Sequence, residues 1–245
     1  MAKSYNELLP SVERRLSAWI ALGNRRETTK AQTSRPTITI SRRFGCEAFP
    51  VCDRLKELFE TATGEAWNIF DKALLERVSQ DEHLSLDLLR DLGGPSRAAD
   101  AIGSLLPRHV SHDDAFRRLA RHLLAIAQAG NAIIVGRGGA IITQHLPNCY
   151  HFRLDASTGY CVTAAMRLLE LSEKEAAEML HEYDTMREGF VEKCLHASIR
   201  DLRYYHAVFN RERSGTDEIA RSIFTFVVRT WADKAYFKAA TALET

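Results

Sequence analysis

Three short stretches of the chain carry residues that could hold a phosphate. The first runs Ser41-Arg42-Arg43-Phe44-Gly45-Cys46-Glu47-Ala48-Phe49-Pro50. It joins a strand to a helix, and helix N-termini present free N–H groups to anions. The usual chemistry of such a loop needs glycines for close approach, a lysine for the β/γ-phosphates and a Ser/Thr for magnesium. Only Gly45 has that character here. Glu47 brings a negative charge, and Phe49 and Pro50 stand where a cation and a hydroxyl are wanted. Taken alone, the stretch reads better as an ordinary strand–helix turn. The second is Gly136-Arg137-Gly138-Gly139-Ala140. It reads either as a phosphate grip, with Arg137 making a bidentate pair, or as a tight turn with a surface arginine. The third is Asp184 and Arg187, one turn apart on a helix. Such a pair usually means a weak intrahelical ion pair of about 0.2–0.5 kcal/mol.

The elements that must position these residues follow from hydrophobic periodicity. Residues 5–23 read as an amphipathic helix and 24–36 as a polar linker. Five strands are expected, at 37–41, 67–70, 132–135, 149–154 and 206–209. Helices are expected at 51–62, 158–170, 172–195 and 216–238. Residues 71–130 are helical in pattern, broken at Gly93-Gly94-Pro95 and at Pro107. Ser111 with Asp114, and Ser172 with Glu175, form capping boxes. Short, largely apolar strands alternating with helices predict an α/β fold with a parallel sheet covered on both faces. Ligands of such sheets bind at the carboxyl ends of the strands. The loops to inspect therefore follow Ser41, Val135, Leu154 and Phe209.

Composition removes several classes. The chain has 245 residues, 45% hydrophobic and 27% charged, enough for a sizeable core without staples. A formal net charge of +1 points to no nucleic-acid polymer and no membrane surface. The five cysteines are Cys46, Cys52, Cys149, Cys161 and Cys194, scattered and without a C-x-x-C pair. That argues against a disulfide framework and a zinc site. The apolar stretch at residues 223–228 is too short to span a bilayer. The N-terminus lacks the apolar core of a signal peptide, so a reducing cytoplasm is the default address.

Together the motifs resemble the cytidylate kinase-like family of P-loop nucleoside monophosphate kinases, over roughly residues 36–228. The family's first strand and loop read approximately T-I-S-R-E-[FY]-G-S-G-G-R-E-I, against the run from Thr39 to Val51 here. Its FD-K-x-L-L is matched by Phe70-Asp71-Lys72-Ala73-Leu74-Leu75. Its V-I-V-G-R-G-A is matched by Ile133-Ile134-Val135-Gly136-Arg137-Gly138-Gly139. Its D-x-x-R and Y-D-x-x-x-N are matched by Asp184, Arg187 and the run Tyr205-His206-Ala207-Val208-Phe209-Asn210.

The resemblance implies a three-layer α/β/α P-loop NTPase-type fold with a parallel five-stranded sheet. It implies an N-terminal helix and linker at 1–35 and a kinase-like domain at 36–245. Within that domain, about 71–112 would close over the acceptor nucleotide and about 180–204 would be a lid. Catalytic roles fall to Arg137, Arg187 and Asp184. Phosphate and nucleotide contacts fall to Ser41, Arg42, Arg43, Gly45, Gly136, Arg137 and Gly138. Asp71 and Lys72 fall in the acceptor region, and no metal ligand is implied. The implied reaction is ATP-dependent phosphorylation of a pyrimidine nucleoside monophosphate, with Mg-ATP as cofactor.

The departures weigh against that reaction. Glu47 and Ala48 replace glycines, and Phe49 replaces a basic residue. Cys161 stands at a helix position where the family has arginine, and Glu192 and Lys193 stand where lid arginines are common. No acidic residue precedes Gly136 to hold magnesium. Phosphoryl transfer is positioning plus charge stabilisation, and one lost donor can cost about 2.7–4 kcal/mol of barrier. Two functions therefore compete: an active kinase, and a catalytically inactive kinase-like module that binds nucleotide or a partner. In the second, residues 5–23 serve a homodimer or pack on their own core.

Overall fold

The computed structural model describes residues 35–75 and 114–237. The expected helix at 5–23 and its linker lie outside the described residues, as do most of the 71–112 insertion and the cap at Ser111. The homodimer reading of that N-terminal helix lies outside them too.

Five strands form one sheet: β1 (Thr37–Arg42), β2 (Asn68–Phe70), β3 (Ala132–Val135), β4 (Cys149–Asp155) and β5 (Ala207–Asn210). All neighbours are parallel, in the order β2-β3-β1-β4-β5. The helices are α1 (Ala48–Thr63), α2 (Asp114–Ala129), the short α3 (Gly139–Ile142), α4 (Thr158–Leu169), α5 (Glu173–Leu195) and α6 (Thr216–Thr230). The fold is the expected three-layer one. Boundaries move by a residue or more: the last helix stops at Thr230, with Trp231 in an extended conformation at its end. The capping box of Ser172 and Glu175 is present at the start of α5.

Each strand side feeds a separate apolar layer. Ile38, Ile40, Ile133, Val135, Phe152 and Leu154 pack with α1, α4 and α6. Ala132, Ile134 and Cys149 pack with α2, α3 and the end of α5. The second side also carries a polar line. β1 and β4 alternate strictly, with Thr37, Thr39 and Ser41 on one and His151, Arg153 and Asp155 on the other. The pairing sets Thr39 beside His151 and Ser41 beside Arg153. Buried polar groups need partners, and these find them locally. The Thr37 hydroxyl donates to the Ala127 carbonyl at 2.8 Å, and Thr39 Oγ1 shares a hydrogen bond of 2.9 Å with His151 Nδ1.

Burial, with a smaller contribution from His206, lowers the His151 pKa to about 3. The unfolded chain titrates near 6.5, so it binds the extra proton over the window from about 6.5 down to about 3. Stability from this group is complete above that window and falls as pH drops through it. Between pH 7 and pH 5 the loss is about 2 kcal/mol. Urea unfolding at the two pH values measures it, and His151→Gln should flatten the dependence. An equal slope in the variant would assign the acid sensitivity elsewhere.

Candidate functional site

The residues after β1 and β3 meet α5 around a cavity of about 360 Å³ at the carboxyl ends of the strands. Four cationic side chains line it: Arg42, Lys72, Arg137 and Arg187. None of the described lining residues is acidic. The turn after β3 is unusual. Gly136, Arg137 and Gly138 all have left-handed backbone, with φ of 79°, 53° and 68°. That conformation costs an ordinary L-residue about 1–2 kcal/mol. It is tolerated where surrounding structure enforces it, often beside a ligand. The Gly136 N–H donates to the Ile40 carbonyl at 2.9 Å, fixing the turn to β1. A Cβ at Gly136 would lie 2.0 Å from Nη1 of Arg42. Only glycine lets that guanidinium lie against the turn.

Aromatic faces hold two of the cations. Arg137 lies 4.8 Å over the Phe190 ring. Arg187 lies 5.6 Å from the Phe44 ring and 5.8 Å from that of Tyr183. Such contacts stack the planar guanidinium on a ring face and leave its N–H edge for other partners. One wall of the cavity rests on Ser41 and Tyr205 together with two residues the sequence did not single out, Arg153 and Ile199. Buried Arg153 donates to Ser41 Oγ at 3.4 Å, to the Ile199 carbonyl at 3.3 Å and to Asp155 at 3.0 Å. The Tyr205 hydroxyl donates to the same Ile199 carbonyl at 2.9 Å. The available signal was the strict polar–apolar alternation of β4, which puts an arginine on an interior strand.

The expected site residues divide into two groups. Ser41, Arg42, Lys72, Gly136, Arg137, Gly138 and Arg187 come together on the cavity. Arg43, Gly45, Asp71 and Asp184 are not among its lining residues. The buried Asp71 carboxylate accepts the Leu74 N–H at 3.0 Å and so starts a helical turn. Asp184 does not use its carboxylate along the helix toward Arg187, as the spacing suggested. It reaches back to the loop after β1, accepting Arg43 Nε at 2.8 Å and the Phe44 N–H at 3.1 Å.

That loop is occupied by its own chain. The Arg43 N–H donates to the Leu154 carbonyl, the Phe44 N–H to Asp184 and the Cys46 N–H to the Arg43 carbonyl. Arg43 also donates to the Ala156 carbonyl at 3.1 Å and to Thr158 Oγ1 at 3.0 Å. Burial works against its charge, yet the hydrogen bond and the negative charge of Asp184 raise its pKa overall. Phe44 stacks on Tyr183 at 4.6 Å. Gly45 packs against the backbone of Cys161. Glu47 turns aside to Arg167, with both carboxylate oxygens 2.9 Å from Nη2. The residues present do not fit the triphosphate of Mg-ATP at this loop. A carboxylate sits on the Phe44 N–H, and no lysine or Ser/Thr follows it in the loop to hold phosphate or magnesium.

A parallel five-stranded sheet in this order, with a cation-lined cavity at the strand ends, defines a P-loop kinase-like fold. The chain belongs to the Cytidylate kinase-like family, whose model matches residues 37–213. Among solved structures, an uncharacterized protein from Eubacterium ventriosum superposes with a TM-score of 0.61 at 19% identity, over 80% of this chain and 99% of that one. At that identity the likeness speaks for the fold alone. A shikimate kinase from Bacteroides thetaiotaomicron overlaps more loosely, with a TM-score of 0.39 at 10% identity over 79% of this chain and 98% of that one. No curated protein matches the chain. No described helix is long and apolar enough to cross a membrane.

Proposed function

We propose that this protein binds a nucleoside monophosphate in the cavity beside Arg137 and does not transfer a phosphoryl group to it from ATP. One observation carries the reading: the Asp184 carboxylate lies on the loop after β1, bonded to Arg43 and to the Phe44 N–H. A second negative group there would meet that carboxylate, and the loop lacks a lysine or a Ser/Thr to offset it. The cations instead gather around the cavity beside the turn after β3, which is where the acceptor phosphate would sit. Arg42, Arg137 and Arg187 are of the residue type that grips phosphate bidentately. A cavity of about 360 Å³ is within the size range of small-ligand sites, and its largely apolar walls suit a base and sugar. The protein would then act as a nucleotide-responsive binding module built on a kinase-like fold.

Titration calorimetry with each nucleoside monophosphate, and with ATP and magnesium, tests the reading. A monophosphate should bind and ATP should not. Incubating the protein with ATP, magnesium and the monophosphates should yield no diphosphate. Robust turnover that vanishes in Arg137→Ala would overturn the proposal and establish an active kinase.

A further inference from the structure

Cys46 and Cys161 lie 115 residues apart in sequence, yet their sulfurs are 4.0 Å apart. Cys46 belongs to the loop after β1 and Cys161 to the first turn of α4. Both are buried, at 0% exposure, so an oxidant reaches Cys161 only when the loop after β1 lifts from α4. The two segments are already in backbone contact: a Cβ on Gly45 would lie 2.6 Å from the Cys161 carbonyl oxygen and 2.8 Å from its Cα. A disulfide has its sulfurs about 2.05 Å apart. Closing the remaining gap requires both sulfurs to move toward each other, between segments that already touch.

The two thiols are not equivalent. Cys161 sits near the N-terminus of α4, where the helix favours a thiolate. Arg43 holds that end, through the Ala156 carbonyl and Thr158 Oγ1. The hydrogen bond shared with Cys46, and then the Arg43 charge, lower the Cys161 pKa against its burial. The same bond, with burial, raises that of Cys46. The place of Cys161 in the first turn of α4, beside Arg43, sets it up as nucleophile, with Cys46 as its resolving partner.

We infer that Cys46 and Cys161 form a modification site, closed by hydrogen peroxide to an intramolecular disulfide that ties the loop after β1 to α4. The Cys161 thiolate attacks a peroxide oxygen. The O–O bond breaks, leaving a sulfenic acid on Cys161 and a hydroxide that takes a proton to become water. Cys46 then gives up its proton, and its sulfur attacks the sulfenic sulfur and expels a second water. The two thiols lose two electrons and two protons in all, and the peroxide is reduced to two waters. The inference stands whether or not the cavity binds a nucleotide. The closed form would hold the loop, and with it Arg43 and Asp184, in the arrangement described above.

All five cysteines are reduced thiols in the structure, so Cys52, Cys149 and Cys194 serve as internal references. The test treats the folded, reduced full chain with hydrogen peroxide, alkylates the remaining thiols and maps the peptides by mass spectrometry. The expected product has lost two hydrogens, joins the Cys46 and Cys161 peptides, and reverts with dithiothreitol. Cys46→Ser should stop at a Cys161 sulfenic acid that dimedone traps, whereas Cys161→Ser should give neither product. Absence of the cross-link in the wild-type chain, or its formation through a different cysteine pair, would overturn the inference. The wild-type map decides the matter even where a serine variant fails to fold.

Discussion

Arg137→Ala is expected to weaken binding of a nucleoside monophosphate by about 2–3 kcal/mol, or roughly 30- to 150-fold in Kd. The loss follows from its place. The side chain lines the cavity and lies over Phe190, in a turn that holds it in the left-handed region. A hydrogen bond to a charged group contributes more than a neutral one, and a guanidinium can make two to one phosphate. Arg137→Gly sharpens the test. Glycine relieves left-handed strain of about 1–2 kcal/mol, against a greater entropy cost of about 0.5–1 kcal/mol and a lost ring contact of about 0.5–1 kcal/mol. Its stability should stay within about 1 kcal/mol of the wild type while its affinity falls as in the alanine variant. Calorimetry and urea unfolding on the same samples separate the two effects. Unchanged affinity in both variants would remove Arg137 from the site.

Gly45→Ala should have the largest effect on stability, a loss of about 2–5 kcal/mol. Gly45 has φ of 81°, where alanine is strained. Its new methyl would also meet the backbone of Cys161 at 2.6 and 2.8 Å, and backbone cannot turn away as a side-chain tip can. The left-handed penalty is about 1–2 kcal/mol, and forcing packed groups apart adds about 1–3 kcal/mol. Two residues on, Glu47→Gly should be close to neutral. Glu47 is itself left-handed at φ of 43°, so glycine removes strain there. What it gives up is a pair with Arg167, whose own side chain is 64% exposed; that loss of about 0–1 kcal/mol and the glycine entropy cost of about 0.5–1 kcal/mol roughly offset the relieved strain of about 1–2 kcal/mol. Restoring this glycine should not restore triphosphate binding, because Asp184 and Arg43 still hold the loop. Urea unfolding of the two variants measures the contrast. A Gly45→Ala protein as stable as wild type would mean that the loop and α4 are not in contact.

Much of the molecule was legible from local pattern. The runs at 37–41, 132–135 and 149–154 read as interior strands because β-branched and aromatic residues recur there between turn residues. Ser172 and Glu175 read as a cap because a capping box depends on residues three apart. Gly136 and Arg137 stood out because glycine beside a strand end marks a turn that few other residues can make. These features depend on a few neighbouring residues, so the sequence by itself determined the layered parallel fold and the turn that presents Arg137.

The pairings that decide what the site can bind were not legible in this way. Asp184 and Arg187 have the spacing of a helical pair, but the Asp184 carboxylate instead meets Arg43, 141 residues away. Glu47 looked placed to repel a phosphate, and it turns to Arg167 at a separation of 120 residues. Arg153 finds Ser41 only because β4 lies beside β1 in one register. A one-residue slip would move its side chain to the opposite face of the sheet. Each of these contacts needs strands, helices and loops brought together from distant parts of the chain, and no short-range rule encodes that. Tertiary structure alone therefore decided that the loop after β1 is closed by its own carboxylate and that the cations converge on the other side.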